Sequence, residues 1–192
     1  GDAMRWLAFA LFAIVFLGLE LGVRGALALG GRTVAPSFVM VLAVFVCTSA
    51  PSRQSLWAAL ALGICLDLTN PIEVVDQART ITLLGPHSLG YVLAAQLTLT
   101  MRGLVFRRNP LTIAFLSLLA AAIASIVFVA IMTLRSAFDP IDWHPTTELF
   151  QRFASALYTG GLALVISPLL LLGMPLLGIS GGTSRGRSGR MM

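Results

Sequence analysis

The chain alternates between long apolar stretches and short connectors that carry most of its charged residues. The clearest stretches cover residues 6–19, 109–134 and 153–179, and none of them contains a charged residue. An apolar run of about 18 or more residues is long enough to cross about 30 Å of hydrocarbon as a helix. The pattern therefore predicts an all-α fold, a polytopic membrane protein with six transmembrane helices.

Glycine, proline and asparagine residues between the apolar stretches set the predicted helix ends. We expect helices over residues 5–29, 34–50, 54–69, 87–105, 110–135 and 148–173. The second and third are short for a full span, so a re-entrant hairpin over 34–69 is the alternative to two separate spans. These helices predict one transmembrane domain, residues 1–177. The Gly-, Ser- and Arg-rich tail, residues 178–192, predicts a disordered basic cytoplasmic segment.

The composition supports a membrane protein and argues against a water-soluble or nucleic-acid-binding one. Hydrophobic residues make up 57% of the chain, and only 11% are charged, against about 25% in soluble proteins. The 13 basic residues are all arginines, spread along the predicted membrane flanks, which argues against a nucleic-acid surface. A cleaved signal peptide is the alternative for the first stretch, because Arg5 precedes it. Glu20 and Arg24 interrupt that stretch and favour a retained helix.

The distribution of arginines predicts the orientation. If both termini are cytoplasmic, the inner segments carry eight arginines and the outer segments five, and most acidic residues fall outside. The positive-inside rule then predicts that both termini lie in the cytoplasm. The strongest cytoplasmic cluster is a basic turn after the fourth helix, formed by Arg102, Arg107 and Arg108.

Two sets of residues in the first helix are candidate partner-binding or close-packing positions. Glu20 and Arg24 are spaced i, i+4, so they either form a local ion pair or turn Glu20 toward a partner or polar cavity. Gly18 and Gly22 begin a small-residue ridge on nearly the opposite face, where another backbone can approach closely. We therefore expect this helix to be central, or to contact another subunit.

The polar residues suggest no catalytic chemistry. Asp67 and His87, at facing ends of the third and fourth helices, predict a polar cluster that caps both. Asp139, Asp142 and His144 match no strong metal motif, so we expect an ordinary outer loop there, and neither a metal nor another cofactor. No phosphate-binding loop or nucleophile elbow occurs. The sequence thus predicts a protein that is not an enzyme.

Five short motifs follow one another in an order that resembles one bacterial family. They are APS at 35–37, GICLD at 63–67, GPHSLG at 85–90, the overlapping LGYVLAA at 89–95, and RGLVFRRNPL at 102–111. In this order they resemble the rod shape-determining protein MreD family over roughly residues 34–134. The longer connector at 71–84, the acidic loop at 136–148 and the basic tail fall outside the resemblance.

The resemblance implies a protein of the bacterial inner membrane, a non-enzymatic scaffold subunit of the cell-elongation (rod) complex that helps to organise peptidoglycan synthesis and cell shape. Its expected partners are an MreC-like single-span protein, RodA with its transpeptidase partner, MreB and membrane lipids. The same six-helix architecture resembles the substrate-binding subunits of energy-coupling-factor vitamin transporters. That class is the alternative function, and it needs an outward-facing pocket with convergent polar groups.

Overall fold

The computed structural model describes residues 4–29, 33–70, 72–73, 80–81, 84–103, 109–138 and 144–177. Within these ranges the chain forms six α-helices: α1 (Trp6–Gly22), α2 (Phe38–Ser49), α3 (Ser52–Thr69), α4 (Pro86–Met101), α5 (Pro110–Ser136) and α6 (Pro145–Gly173). The predicted all-α class is confirmed for this part of the chain. By length and composition, α5 and α6 are the two described helices that meet the requirements for crossing a membrane.

Several helix ends differ from the predicted ones for local reasons. α1 ends at Gly22, because the chain then turns and Leu29 forms an antiparallel bridge with Val34. α2 begins only at Phe38, with Ser37 as its N-cap residue, so Pro36 precedes the helix. α6 begins three residues earlier than predicted, at Pro145, which suits the first helical position because its missing N–H needs no partner there.

The centre of the helix bundle is α2, which contacts all five other helices. Every residue of α2 except Ser49 is buried. The expectation that the first helix is central is therefore wrong, since α1 packs mainly against α2 and lies at the edge of the bundle. Apolar composition does not distinguish the two helices, because α1 is at least as apolar as α2. The start of α2 and the residues just before it are instead bound by side chains of α1, α4 and α6.

Small residues allow the outer helices to approach one another closely. A Cβ atom at Gly90 of α4 would lie 3.1 Å from the carbonyl oxygen of Ala124 on α5. A Cβ atom at Gly160 of α6 would lie 3.0 Å from the Leu118 Cβ atom, also on α5. These contacts make α5 the shared neighbour of α4 and α6.

The connector between α3 and α4 contains a structure that the sequence did not suggest. Two short strands, β1 (Ile72–Glu73) and β2 (Thr80–Ile81), pair antiparallel, with Ile72 opposite Ile81 and Glu73 opposite Thr80. The predicted disordered tail, residues 178–192, lies outside the described residues.

Candidate functional site

Glu20 is a buried carboxylate that joins α1 to the start of α2. Its Oε2 atom accepts hydrogen bonds from the backbone N–H groups of Phe38, at 2.6 Å, and Val39, at 3.3 Å. Its Oε1 atom lies 3.4 Å from Nη1 of Arg24. The first N–H groups of a helix lack partners within the helix and attract negative charge. Glu20 thus caps α2 and pairs with Arg24 at the same time.

The extended backbone before α2 is held by side chains from other helices. The N–H group of Ala35 donates to Ser155 Oγ at 3.2 Å, and that of Ser37 donates to Thr159 Oγ1 at 3.0 Å. The Ser37 hydroxyl also lies 3.3 Å from the hydroxyl of Tyr91 on α4. The backbone N–H groups of Ala35 and Ser37 in this non-helical segment therefore have acceptors on α6, and α4 contacts the Ser37 side chain.

The structure brings Asp67 and His87 together at the start of α4. The Asp67 carboxylate accepts hydrogen bonds from the N–H groups of Gly85 at 2.9 Å, His87 at 2.9 Å and Ser88 at 3.1 Å. Nδ1 of His87 lies 2.9 Å from Oδ1 of the same carboxylate. Asp67 is buried. Through these hydrogen bonds its carboxylate caps the N-terminus of α4 and orients the imidazole ring of His87.

Sequence reasoning missed one further charged residue of this region, Arg152 of α6. Its guanidinium carbon lies 3.7 Å from the centre of the Phe128 ring, and its Nε atom donates to Glu148 at 3.2 Å. The His87 ring approaches the same phenylalanine, with 4.6 Å between ring centres. Glu148 and Arg152 have the same i, i+4 spacing as Glu20 and Arg24, and that spacing was a signal available in the sequence.

These groups surround one cavity of about 320 Å³ between the helices. Its charged and polar wall residues come from several helices and the segments beside them, and they include both carboxylate–arginine pairs, Glu20–Arg24 and Glu148–Arg152. Small or apolar residues of α5 and its neighbours complete the wall. The lining includes Glu20, Arg24, Ser37, Met40, Leu66, Asn70, His87, Tyr91, Ala121, Ala124, Ser125, Phe128, Glu148, Gln151, Arg152, Ser155, Ala156 and Thr159. The size falls in the range of ligand pockets, about 300–1,000 Å³.

The other predicted site residues lie elsewhere. Gly18 and Gly22 are exposed on the face of α1 that points away from the bundle, and a Cβ atom at either would meet nothing within 4 Å. Arg102 donates to the carbonyl oxygens of Cys47 at 3.2 Å and Ala50 at 2.8 Å, so it binds the end of α2. The rest of the predicted basic turn, Arg107 and Arg108, lies outside the described residues.

No metal site appears within the described part of the chain, where no three His, Cys, Asp or Glu side chains are grouped to hold an ion. Cys47 and Cys65 are free thiols. Comparison with known proteins finds no matching family model, curated protein or solved structure.

Proposed function

We propose that this chain is a six-span protein of the bacterial inner membrane and a non-enzymatic scaffold subunit of the cell-elongation complex. In this proposal both termini are cytoplasmic, and the main partner is an MreC-like single-span protein. RodA, its transpeptidase partner and MreB would belong to the same assembly. The ordered motifs that resemble the MreD family support the choice of complex.

The large apolar side chains on the outside of the bundle support the membrane part of the proposal. Large apolar side chains are exposed along α1, α5 and α6, including Leu7, Leu11, Ile14, Phe115, Val165, Leu169 and Leu172. The charged residues Glu20 and Asp67 are buried inside the bundle instead. Apolar side chains outside and polar groups inside suit a lipid environment, where ionisable residues face the bundle interior or a cavity.

The observation that carries the scaffold proposal is the outer face of α1. Gly18 and Gly22 are helical and exposed, and a Cβ atom at either would meet no described residue within 4 Å, so the described part of the bundle does not use this ridge for packing. Small residues at i, i+4 let a second transmembrane helix approach the backbone closely. The single-span helix of an MreC-like protein is an occupant that fits such a ridge.

The test is co-purification of the Gly18→Leu/Gly22→Leu variant with the single-span partner in mild detergent. We expect loss of the partner together with normal membrane insertion, because two bulky side chains block the close approach. Gly161→Leu is the matched control, since Gly161 is also exposed on a helix with nothing within 4 Å of its Cβ position. Unchanged recovery of the partner with the double variant would refute the role of this ridge.

A second candidate function is the substrate-binding subunit of an energy-coupling-factor-type vitamin transporter. The cavity of about 320 Å³, with polar groups converging from several helices, favours it. A vitamin released from the purified, denatured protein in stoichiometric amount would support this function over the scaffold. Purification with the single-span partner and without a vitamin would support the scaffold.

A further inference from the structure

We infer that the cavity is a binding site for an oxyanion, a phosphate or carboxylate group that Arg24 and Arg152 hold from two sides. The inference does not depend on the scaffold proposal, because it concerns the isolated chain. It rests on three features of the cavity wall: where the basic groups lie, which of their donors are unused, and how the nearby carboxylates are engaged.

Three basic side chains from three helical segments meet at this cavity. Arg24 follows α1, His87 is on α4 and Arg152 is on α6. Glu20 and Glu148 line the same cavity, and each compensates one arginine, with 3.4 Å between Arg24 and Glu20 and 3.2 Å between Arg152 and Glu148. The two guanidinium groups nevertheless line one cavity, where a single oxyanion could accept hydrogen bonds from both.

Both arginines keep hydrogen-bond donors that no described residue uses. Arg24 engages Glu20 through Nη1 alone, at 3.4 Å, and 43% of its side chain is exposed. Arg152 uses Nε for Glu148, while its flat face is stacked on Phe128. Within the described part of the chain, Nη1 and Nη2 of Arg152 have no hydrogen-bond partner. A stacked guanidinium is held in one orientation, and its free edge presents donors in the fork that matches a carboxylate or phosphate.

The carboxylates near these arginines are already committed to other contacts. Glu20 Oε2 caps α2 through Phe38 and Val39, which leaves only Oε1 for Arg24. Asp67 is fully used by the start of α4 and His87, and it does not line the cavity. Glu148 is engaged by Nε of Arg152. Glu20 and Glu148 thus balance the charge of the two arginines, but the cavity wall keeps guanidinium N–H donors that these carboxylates do not use.

The apolar part of the wall indicates what else the ligand contains. Met40, Leu66, Ala121 and Ala156 line the same cavity, so a ligand with an apolar portion attached to its oxyanion would have that portion covered. Two sources offer this chemistry: the phosphate headgroup of an anionic lipid, and a small soluble phosphate or carboxylate. The experiment has one arm for each source.

In the soluble arm, the full chain in a non-ionic detergent is titrated with sodium phosphate, and separately with sodium benzoate, at ionic strength matched by sodium chloride. Binding to the folded state raises the thermal unfolding midpoint by mass action. In the lipid arm, the chain is reconstituted in phosphatidylcholine vesicles with or without phosphatidylglycerol. Native mass spectrometry then reports the lipid retained after mild extraction.

The variant to compare is Arg24→Gln/Arg152→Gln, with Arg53→Gln as control, because Arg53 is an exposed arginine at the start of α3. We expect the native chain and the control to bind in at least one arm, and the double variant to bind about tenfold more weakly or worse. Should the double variant fail to fold, Ala121→Leu replaces it, since it fills part of the cavity without changing charge. Binding in neither arm, or equal binding by native chain and cavity variant, overturns the inference.

Discussion

Gly63 of α3 lies against the backbone of Ser88 on α4, so closely that a Cβ atom at Gly63 would be 2.5 Å from the Cα atom of Ser88. No real Cβ atom tolerates that distance to backbone, and both helices are held in place by the Asp67 cap beside this contact. The α3–α4 contact therefore requires glycine at this position.

Gly63→Ala should separate the two helices and destabilise the protein by about 1–3 kcal/mol, the usual cost of overpacking. Gly161→Ala is the matched comparison, because its added methyl group meets nothing within 4 Å. At that position alanine should stabilise the helix by about 0.5–1 kcal/mol. Thermal unfolding in detergent, followed by circular dichroism at 222 nm, measures both. Equal midpoints for the two variants would show that the close approach is not rigid.

The Asp67 carboxylate supports a second prediction about the same end of α4. Asp67→Ala leaves three backbone N–H groups without their acceptor and should destabilise the protein by about 2–4 kcal/mol. Asp67→Asn keeps one acceptor oxygen and should recover part of that loss. The unfolding midpoints of the two variants are the measurement. An alanine variant as stable as the asparagine variant would mean that water or another group replaces the cap.

Glu20 allows a test of the link between α1 and α2. Glu20→Ala should destabilise the protein by about 1–3 kcal/mol, because α2 loses its anionic cap and Arg24 loses its partner. Glu148→Ala is the comparison, since it also removes the acidic member of an i, i+4 pair but caps no helix by its side chain. Glu148→Ala should lower the free energy of unfolding by only about 0–1 kcal/mol, which is the usual contribution of a surface ion pair. Comparable losses in the two variants would argue against a special role for the cap.

Arg102 binds the opposite end of α2, where the carbonyl oxygens of Cys47 and Ala50 accept its hydrogen bonds. Arg102→Ala should cost about 1–3 kcal/mol, since these bonds involve a charged donor. Arg102→Lys should restore only part of this stability, because an ammonium lacks the fork that reaches Ser52 as well. Full rescue by lysine, measured by thermal unfolding, would show that charge alone matters at this position.

The buried hydroxyl of Ser117 leads to a different prediction, because its removal should not lower the stability of the protein. Ser117 Oγ on α5 is buried and has no hydrogen-bond partner among the described residues. Ser117→Ala should leave stability unchanged or raise it by about 1 kcal/mol, because an unpaired polar group is costly to bury. Ser55→Ala removes a hydroxyl that donates to the Pro51 carbonyl oxygen at 3.1 Å, and it should lower stability by a similar amount. A destabilised Ser117→Ala protein would indicate that the hydroxyl has a bound partner.

The sequence was a good guide to the helices and a poor guide to their arrangement. Apolar runs and the prolines at 86 and 110 located α4 and α5 within a residue at their starts, since these signals are local. The charged face and the small-residue ridge of the first helix led to the expectation that it is central or contacts another subunit, and the central position of α2 was not predicted. The paired strands β1 and β2 depend on a connector with little hydrophobic pattern and were missed.

The candidate site could be predicted only in part for a similar reason. Pairing of Glu20 with Arg24, and of Asp67 with His87, follows from helical spacing and from neighbouring helix ends. Arg152 joined the site because α6 packs on α5 and places the guanidinium on Phe128, 24 residues earlier in the chain. Such a contact depends on tertiary packing, and no local spacing encodes it.

The two hydrogen bonds that secure the backbone before α2 fix an order of events during synthesis. Ala35 and Ser37 obtain their acceptors from Ser155 and Thr159, which are 120 and 122 residues further along the chain. A ribosome must therefore release nearly the whole polypeptide before the innermost segment finds its last partners. Until α6 has been synthesised, the N–H groups of Ala35 and Ser37 lack these acceptors, and a nascent chain stopped before α6 cannot supply them.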